Sequence, residues 1–390
     1  MNIYQIFLDD LKKEILKNQN KLNIKNLNDF KGIVVESPPE NFNCDLSTNV
    51  GLILGRINKL NPIDLSKNIK SLILDGNKKI KSVNIAGPGF ININIDDSYI
   101  QKIIIKIFEN KNKFGSLNTK KNYNIEFVSA NPTGPMHVGH CRGAIYGDVL
   151  ANLLRFNGNK ITKEYYINDY GNQIYNFTKS VYLRIREIQF KEKFVNSENL
   201  YPGEYVKEIA KKIINEEDIK YDDFDKHFSI LSEKSLRYSM EMIQLDLLKL
   251  GIKHDKFISE AHLVKNKLVD KAVNILKKND QVTEGYLEPP KGEDNKNWVK
   301  TKRLIFKSTI FGDDSDRALQ KNDGSWTYFA NDVAYHMDKI SRDYNYLINI
   351  LGADHTGYIK RITAAVKALS NDKVKLNCKV CQLVKLYKNG

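Results

Sequence analysis

The apolar residues near the start of the chain follow the spacing of helices and strands in turn. They recur every three or four positions over residues 4–16 and again after Asn61, which predicts two helices, the second with Asn61 as its N-cap and a proline in its first turn. Apolar and polar residues alternate around a Gly-Pro-Gly turn within residues 83–95, which predicts a β-hairpin, and Ser98 then caps a further helix. Residues 1–115 are therefore predicted to form a separate, small α+β domain.

Strand and helix patterns alternate over the rest of the chain, residues 116–390. The first predicted strand, helix and strand are Tyr123–Val128, Ala144–Phe156 and Lys160–Ile167. This order predicts a buried parallel sheet, and hence an α/β domain. Residues from about 190 to 300 are charged, interrupted and helical in pattern, so we expect a mainly helical insertion there. The strand, strand, helix and strand predicted beyond it are Arg303–Lys307, Tyr346–Leu351, Thr356–Leu369 and Val380–Tyr387.

The charge balance suggests a polyanionic partner. Lys and Arg number 61 against 47 Asp and Glu, which gives a formal net charge of +14. Clustered basic side chains gain affinity for nucleic acid by releasing counterions from its phosphates. The chain is also rich in lysine, asparagine and isoleucine throughout, so a solvated lysine surface explains the charge as well.

Cysteine usage and the apolar runs bear on the compartment. The four cysteines are too few for a disulfide framework in 390 residues, which fits a reducing environment. The N-terminus has no apolar signal-peptide core, and no run approaches eighteen apolar residues. We therefore expect a cytoplasmic protein without membrane contact.

The clearest chemical signal is a Pro/Gly-rich loop that follows the first predicted strand and ends in His137 and His140. The first amides of a helix are unpaired and its dipole favours negative charge, so two imidazoles at that point suit a triphosphate. Gly139 between them lets a ligand approach the backbone closely. Two alternatives stay open: a metal site that includes Cys141, although a third well-spaced ligand is missing, and two ordinary helix-cap histidines.

Two later segments could also carry chemistry. Tyr328 and Asp332 lie four residues apart on a predicted helix, and a carboxylate beside an aromatic ring suits a guanidinium. The alternative is that both residues lie on the solvent-exposed side of an amphipathic helix. The turn Gly352–His355 joins a strand to a helix at the carboxyl edge of the predicted sheet, where ligands bind in such folds, although Asp354 could simply be a helix cap.

Two further patterns are weaker. Residues 312–317 are acidic but lack the spacing and closing glutamate of a calcium loop. Cys378 and Cys381 form a single Cys-x-x-Cys within an alternating strand pattern, which gives little support to a zinc or redox role. We expect no tightly bound, protein-ligated metal.

The segment Glu126–His140, EFVSANPTGPMHVGH, resembles the nucleotide-binding signature of class I aminoacyl-tRNA synthetases in its arginyl-tRNA synthetase form. Three other segments are similar to that family in order and spacing: Asn168–Gln173, Gly324–His336 and Leu351–Tyr358. Residues 85–92 resemble part of the extra domain that precedes the family's catalytic core. The resemblance covers nearly the whole chain, and its motifs are far more specific together than singly.

The resemblance implies a Rossmann-like parallel-sheet catalytic domain with a helical insertion, preceded by a small α+β domain that contacts tRNA. It implies that the protein ligates L-arginine to its tRNA through arginyl-adenylate, with ATP and Mg²⁺ entering as a substrate complex. The partners would be tRNA, arginine and ATP, and we expect a monomer.

The resemblance also assigns residues. The signature segment comprises Ala130, Asn131, Pro132, Thr133, Gly134, Pro135, Met136, His137, Val138, Gly139 and His140. Within it, His137 and His140 are the catalytic residues implied. The ATP-binding residues implied are His137, Gly139, His140, Gly352, Ala353 and Asp354. The arginine-binding residues implied are Glu126, Asn131, Tyr328 and Asp332, with Asn131 holding the backbone groups of the amino acid.

The chain departs from the family at its end. The last predicted strand has no helix after it, and the Lys-Met-Ser-Lys-type loop and helical anticodon-binding domain that the family carries are missing before Gly390. The sequence therefore looks C-terminally truncated. Two alternatives to a working ligase follow: a catalytically impaired fragment that still binds tRNA, and a nucleotidyltransferase of the same superfamily that acts on a small acid.

Overall fold

The structure is a computed structural model, and it describes residues 2–216, 219–287, 301–385 and 387–388. The chain divides into two compact units, Met1–Leu117 and Asn118–Gly390. Within the described residues, no helix is both long enough and apolar enough to cross a membrane.

The first unit packs helices on an antiparallel sheet. Its helices are α1 (Ile3–Lys17), α2 (Val50–Asn58), α3 (Pro62–Gly76) and α4 (Asp97–Asn110). Its strands are β1 (Val35–Glu36), β2 (Leu46–Thr48), β3 (Ile80–Ala86) and β4 (Phe90–Ile95), in the order β1-β2-β4-β3. The side chain of Asn61 caps α3 as predicted, whereas α4 is capped by Asp96 instead of Ser98, whose backbone and hydroxyl groups both donate to Asp96.

The second unit is built on a parallel sheet in the order β12-β11-β5-β6-β7. These strands are β5 (Asn122–Glu126), β6 (Lys160–Ile167), β7 (Lys256–Ser259), β11 (Tyr346–Gly352) and β12 (Lys375–Cys381). A smaller antiparallel sheet has the order β10-β9-β8, from β8 (Val282–Gly285), β9 (Arg303–Phe306) and β10 (Arg317–Ala318). The α/β class with a parallel sheet is thus confirmed.

The helices of the second unit are α5 (Val138–Phe156), α6 (Asn172–Phe190), α7 (Glu204–Glu216), α8 (Phe224–Lys249), α9 (Glu260–Lys265), α10 (Leu268–Lys278), α11 (Tyr328–Ser341) and α12 (Ile359–Ser370). Helices α6, α7 and α8 share an apolar cluster of their own, and we call them the helical subdomain. Helices α10, α11 and α12 pack together around a second cluster.

Several element boundaries differ from the expected ones; strand β5, for example, ends at Glu126 and not at Val128. Helix α5 starts at Val138, earlier than expected, because the histidine pair caps its first turn. Residues 353–358 form a 3₁₀ turn, so α12 starts at Ile359 instead of Thr356. Strand β12 covers residues 375–381, not 380–387, because each of its residues pairs with one of residues 346–352 of β11.

The interval expected to be a helical insertion contains a strand of the main sheet. Strand β7 pairs in parallel with β6, with Glu164 opposite Lys256 and Ile167 opposite Ser259. The interval expected to be a mainly helical insertion, from about 190 to 300, thus contains two strands beside its helices: β7, and β8, which pairs with β9. Residues 288–300 of that interval lie outside the described residues.

Small residues let α5 lie close to the sheet. Ala144, Gly147 and Ala151 are fully buried on the face that meets β5 and β6. A Cβ atom added at Gly147 would lie 2.4 Å from Cγ of Phe127, so this position has no room for a side chain. The close approach fixes the N-terminus of α5 against the carboxyl end of β5, where the signature segment lies.

Candidate active site

The chain turns sharply where β5 ends. Val128 and Ser129 adopt φ angles of +71° and +42°, a region that a β-branched residue rarely occupies. The Ser129 hydroxyl donates to Oε1 of Glu126 (3.1 Å) and accepts from the amide of Tyr166 on β6 (3.1 Å). These contacts hold the strained turn, from which the signature loop, residues 130–136, leads to α5.

His137 and His140 form a reciprocal cap on α5. The amide of His137 donates to Nδ1 of His140 (3.3 Å), and the amide of His140 donates to Nδ1 of His137 (3.4 Å). The two rings are stacked, with their centroids 3.6 Å apart. Because each Nδ1 atom accepts a hydrogen bond, a neutral ring carries its proton on Nε2. Burial, and secondly the neighbouring His137, lower the pKa of His140, which favours the neutral ring.

A cavity of about 520 Å³ lies at the carboxyl ends of β5, β11 and β12. Seven of the predicted site residues line it: Ala130, Asn131, His137, Gly139, His140, Gly352 and Asp354. Its wall is completed by residues 381–383, which are the last residue of β12 and the two that follow it. Arg142 of α5 donates from Nη1 to the carbonyl of Gln382 (3.1 Å), which ties this segment to the helix that bears the histidines. Ala353 is the one predicted ATP residue that does not line the cavity.

A second cavity of about 210 Å³ adjoins the first. Both are lined by Val128, Ser129, Ile350, Leu351, Gly352 and His355. The second cavity adds two predicted arginine residues, Glu126 and Asp332. Three tyrosines also line it: Tyr166, Tyr335 and Tyr358. Carboxylates between aromatic rings suit a flat cation such as a guanidinium.

Asp332 is the most perturbed carboxyl group of this cavity. Burial raises its pKa to about 7, and the nearby charges of Glu126 and Glu260 add to the rise. The Tyr358 hydroxyl donates a hydrogen bond to Oδ2 of Asp332, which opposes the rise without cancelling it. An arriving cation would offset the cost of ionising this group.

A buried lysine forms an ion pair with Glu126. The Nζ atom of Lys339, which is fully buried in α11, donates to Oε2 of Glu126 (2.5 Å) and to Oδ1 of Asn349 (3.2 Å). Asn349 is in turn 3.0 Å from Nε2 of His336, whose Nδ1 is 2.8 Å from the carbonyl oxygen of Asp332. Burial lowers the pKa of His336 to about 3, so this ring is neutral and joins the two acidic residues through polar contacts.

A second buried ion pair braces the same helix. Arg342 donates through both terminal nitrogens to the fully buried carboxylate of Glu164, which also accepts from the hydroxyl of Tyr335 (2.8 Å). Burial alone would raise the pKa of Glu164, but Arg342 and Lys339 together lower it. This pair fixes α11 on β6, and with it the position of Asp332.

Tyr328 is not brought to the cavity. Its side chain is 74% exposed at the first residue of α11, and its ring lies 5.7 Å from Nζ of Lys321. The aromatic partner of Asp332 is Tyr358 instead. Tyr358 lies within a family-like segment without a predicted role, and Lys339 and Tyr166 have no predicted role either. The position of Tyr358 just after the Gly-Ala-Asp-His turn, at the carboxyl edge of the predicted sheet, was the signal that could have identified it.

The comparisons with known proteins agree with this geometry. Residues 103–383 match the family model described as tRNA synthetases class I (R), catalytic domain, and residues 9–95 match the arginyl tRNA synthetase N terminal domain. With the histidine pair at the carboxyl edge of a parallel sheet, these matches define the catalytic core of a class I aminoacyl-tRNA synthetase. The chain is 52% identical over 394 residues to an arginine–tRNA ligase of Pelagibacter ubique, covering 100% of this chain and 68% of that protein. The chain belongs to the arginyl-tRNA synthetase family, as its sequence predicted.

Further relatives agree. An arginine–tRNA ligase of Ehrlichia ruminantium is 46% identical, covering 95% of this chain and 66% of the relative. The arginyl-tRNA synthetase structure from Plasmodium falciparum shares the fold with a TM-score of 0.65 at 19% identity, covering 97% of this chain and 66% of that one. The structure from Thermus thermophilus has a TM-score of 0.61 at 14% identity, covering 94% and 65%. The chain thus spans about two thirds of the length of these relatives.

Proposed function

We propose that this chain carries the active site of an arginine–tRNA ligase. ATP, L-arginine and tRNA would give arginyl-tRNA, AMP and pyrophosphate, with arginyl-adenylate as the intermediate. The proposal depends above all on two adjoining cavities at one edge of the sheet, one with two histidine donors and the other with carboxylates and tyrosines. This pairing suits a nucleotide beside a cationic amino acid.

The larger cavity would bind ATP with its Mg²⁺ as a substrate complex. His137 and His140 would donate from Nε2 to the triphosphate, since their Nδ1 atoms already accept from the backbone. Gly139 would let phosphate approach the backbone of the first helical turn. The adenosine side would lie against the turn formed by Gly352, Ala353 and Asp354.

The smaller cavity would bind arginine. Asp332 and Glu126 would face the guanidinium, and Asn131 would hold the amino and carboxylate groups. The side-chain Nδ2 of Asn168 donates to Oδ1 of Asn131 (3.1 Å), which leaves the Nδ2 group of Asn131 as a donor for the arginine carboxylate. Tyr358, and not the exposed Tyr328, would be the ring beside the guanidinium, because its hydroxyl already contacts Asp332.

The chemistry is an in-line displacement at phosphorus. A carboxylate oxygen of arginine forms a bond to the α-phosphorus as the bond from that phosphorus to its bridging oxygen breaks, and pyrophosphate leaves with Mg²⁺. The terminal hydroxyl of tRNA then attacks the activated carbonyl, and AMP leaves. The contribution of His137 and His140 is electrostatic, because negative charge grows on the phosphate oxygens in the first step.

We also propose how the chain meets its partners. Residues 1–115 would contact tRNA, and the net charge of +14 over the whole chain favours a polyanionic partner. The protein would act as a monomer in the cytoplasm, without membrane contact.

Arginine-dependent ATP–pyrophosphate exchange, measured with cognate tRNA present, tests this function. We expect exchange with arginine and none above background with lysine, which lacks the flat cation that the smaller cavity suits. His140→Ala should lower the exchange rate by about two orders of magnitude, the size of effect seen when one donor to a growing negative charge is removed.

Three outcomes would overturn the proposal. The first is a folded protein whose exchange rate equals that of the His140→Ala variant. The second is salt-dependent tRNA binding without any turnover, which would favour a tRNA-binding fragment. The third is exchange that prefers a small acid to arginine, which would favour the nucleotidyltransferase alternative.

A further inference from the structure

The helical subdomain reaches the signature loop through one side chain. Tyr205, in the first turn of α7, donates its hydroxyl to the backbone carbonyl of Thr133 (2.8 Å), in the middle of the loop. Thr133 is itself buried, so its carbonyl needs a partner from the protein. The contact joins two parts of the chain that are 72 residues apart.

Two glycines make room for this contact. A Cβ atom at Gly203 would lie 2.3 Å from the ring of Tyr205, so the ring can pack on the backbone there only because Gly203 has no side chain. A Cβ atom at Gly134 would lie 3.2 Å from the Tyr205 hydroxyl oxygen. The lack of a side chain at Gly134 therefore lets the loop backbone come close to this hydroxyl group. Burial raises the pKa of Tyr205 to about 12, and its hydroxyl therefore keeps its proton at neutral pH.

The segment that bears Tyr205 is itself fixed to α6. The amide of Tyr201 donates to the hydroxyl of Ser180 (2.9 Å), and Arg184 donates from Nη2 to the carbonyl of Pro202 (2.9 Å). Tyr205 lies three residues after Pro202 in the chain. Its position is therefore set by the packing of the helical subdomain and not by the loop.

Among the described residues, two further side chains anchor the loop by hydrogen bonds, both nearer to its start. The hydroxyl of Tyr165 donates to the carbonyl of Ala130 (2.7 Å), and the side-chain Nδ2 of Asn168 donates to Oδ1 of Asn131 (3.1 Å). Tyr205 holds the loop two residues further on, on the side that leads to His137. Without it, the part of the loop next to the histidines would lose its hydrogen bond to the helical subdomain.

We propose that Tyr205 is a positioning residue that couples the helical subdomain to the catalytic histidines by holding the signature loop at Thr133. The inference rests on the proposed function, because it acts through His137 and His140. It makes the rate of arginine activation dependent on the packing of helices that do not touch the nucleotide.

Tyr205→Phe, which removes only the hydroxyl, tests the coupling. We expect kcat of ATP–pyrophosphate exchange to fall at least about fivefold, the factor that corresponds to one hydrogen bond, while KM for arginine changes little. Tyr182→Phe is the matched control, since the Tyr182 hydroxyl donates to the carbonyl of Asp222 (3.2 Å) within the helical subdomain and does not touch the loop. It should leave kcat unchanged. Equal kcat values for both variants would overturn the inference.

Amide hydrogen exchange separates this inference from the proposed function. A peptide that covers residues 129–137 should exchange faster in Tyr205→Phe than in the wild-type protein, whereas Tyr182→Phe should match the wild type. This result is expected even if the chain shows no turnover at all. Unchanged protection of that peptide in Tyr205→Phe would overturn the coupling, whatever the outcome of the activity assay.

Discussion

The pKa of Asp332 depends on neighbours with opposite effects. Its carboxyl group is buried and faces the charges of Glu126 and Glu260, and the Tyr358 hydroxyl only partly offsets them. A pKa of about 7 means that the group is half protonated near neutral pH when the cavity holds no cation. Pairing with a guanidinium would ionise it and release a proton.

Arginine affinity should therefore depend on pH with a known sign. Asp332 must lose its proton to pair with arginine, so we expect the dissociation constant to rise about tenfold between pH 8 and pH 6 for a pKa near 7. Calorimetric titrations across this range measure it, and Asp332→Asn should bind weakly with a flat profile. Affinity that strengthens as the pH falls would contradict the assignment.

The raised pKa of Asp332 also affects folding stability. The protonated carboxyl group favours the folded state below pH 4, and this contribution is lost as the pH rises through 7.

Lys339 should matter for stability through Glu126. Lys339→Met leaves a buried carboxylate without its cation, and we expect the free energy of unfolding to fall by about 3 kcal/mol in urea denaturation. Adding Glu126→Gln to that variant removes the unpaired charge and should restore most of the loss. Losses that simply add in the double variant would show that the two side chains do not act as a pair.

Single residues also mark the limit of sequence analysis. The loop with His137 and His140 was predictable because its Pro, Gly and His residues follow one another along the chain. The aromatic partner of Asp332 was not predictable. The sequence spacing pointed to Tyr328, whereas the structure brings Tyr358 to Asp332. Side chains on a helix lean toward its N-terminus, so a tyrosine at the first position points past the end of the helix, and a residue from the next strand-to-helix turn takes its place.

Helix α5 is the element that sets the geometry of the signature segment. It meets the sheet through small residues, and Phe127, at the end of β5, fills the space above Gly147. This close contact places the first turn of α5 at the carboxyl edge of the sheet. A change in the distance between α5 and the sheet would move His137 and His140 together.

Gly147→Ala should therefore destabilise the fold despite alanine's better helix propensity. The new methyl group would meet Phe127 in a fully packed position, and overpacking costs about 1–3 kcal/mol. Gly143→Ala in the same helix is the control, because a Cβ atom there meets nothing within 4 Å, and it should raise stability by up to about 1 kcal/mol. Urea denaturation of both variants provides the comparison. Equal effects would show that the contact with Phe127 does not limit the packing.

Elements with strong periodicity were predictable, and those fixed by distant partners were not. The strand Lys160–Ile167 was predicted with its observed bounds because apolar and β-branched residues dominate it. Strand β7 was missed because its four residues lie at the sheet edge and are not fully buried, so they show no apolar run. Its place depends on pairing with β6, which no local pattern reveals.

At the scale of the whole second unit, one sheet edge gathers everything the proposal needs. Strand β5 supplies Glu126 and the signature loop, β11 supplies the Gly-Ala-Asp-His turn, and α11 supplies Asp332. The order β12-β11-β5-β6-β7 makes β5 and β11 neighbours, although more than 200 residues separate them. The two cavities share a wall for this reason, which would bring an amino acid bound in one next to a nucleotide bound in the other.

A structure of the protein with a non-hydrolysable analogue of arginyl-adenylate tests this account most directly. We predict that the analogue spans both cavities, with its guanidinium at the carboxylate of Asp332, its phosphate mimic near Nε2 of His137 and His140, and its adenosine at Gly352 and Asp354. An analogue bound elsewhere, or bound with its adenosine in the cavity of Asp332, would contradict the account.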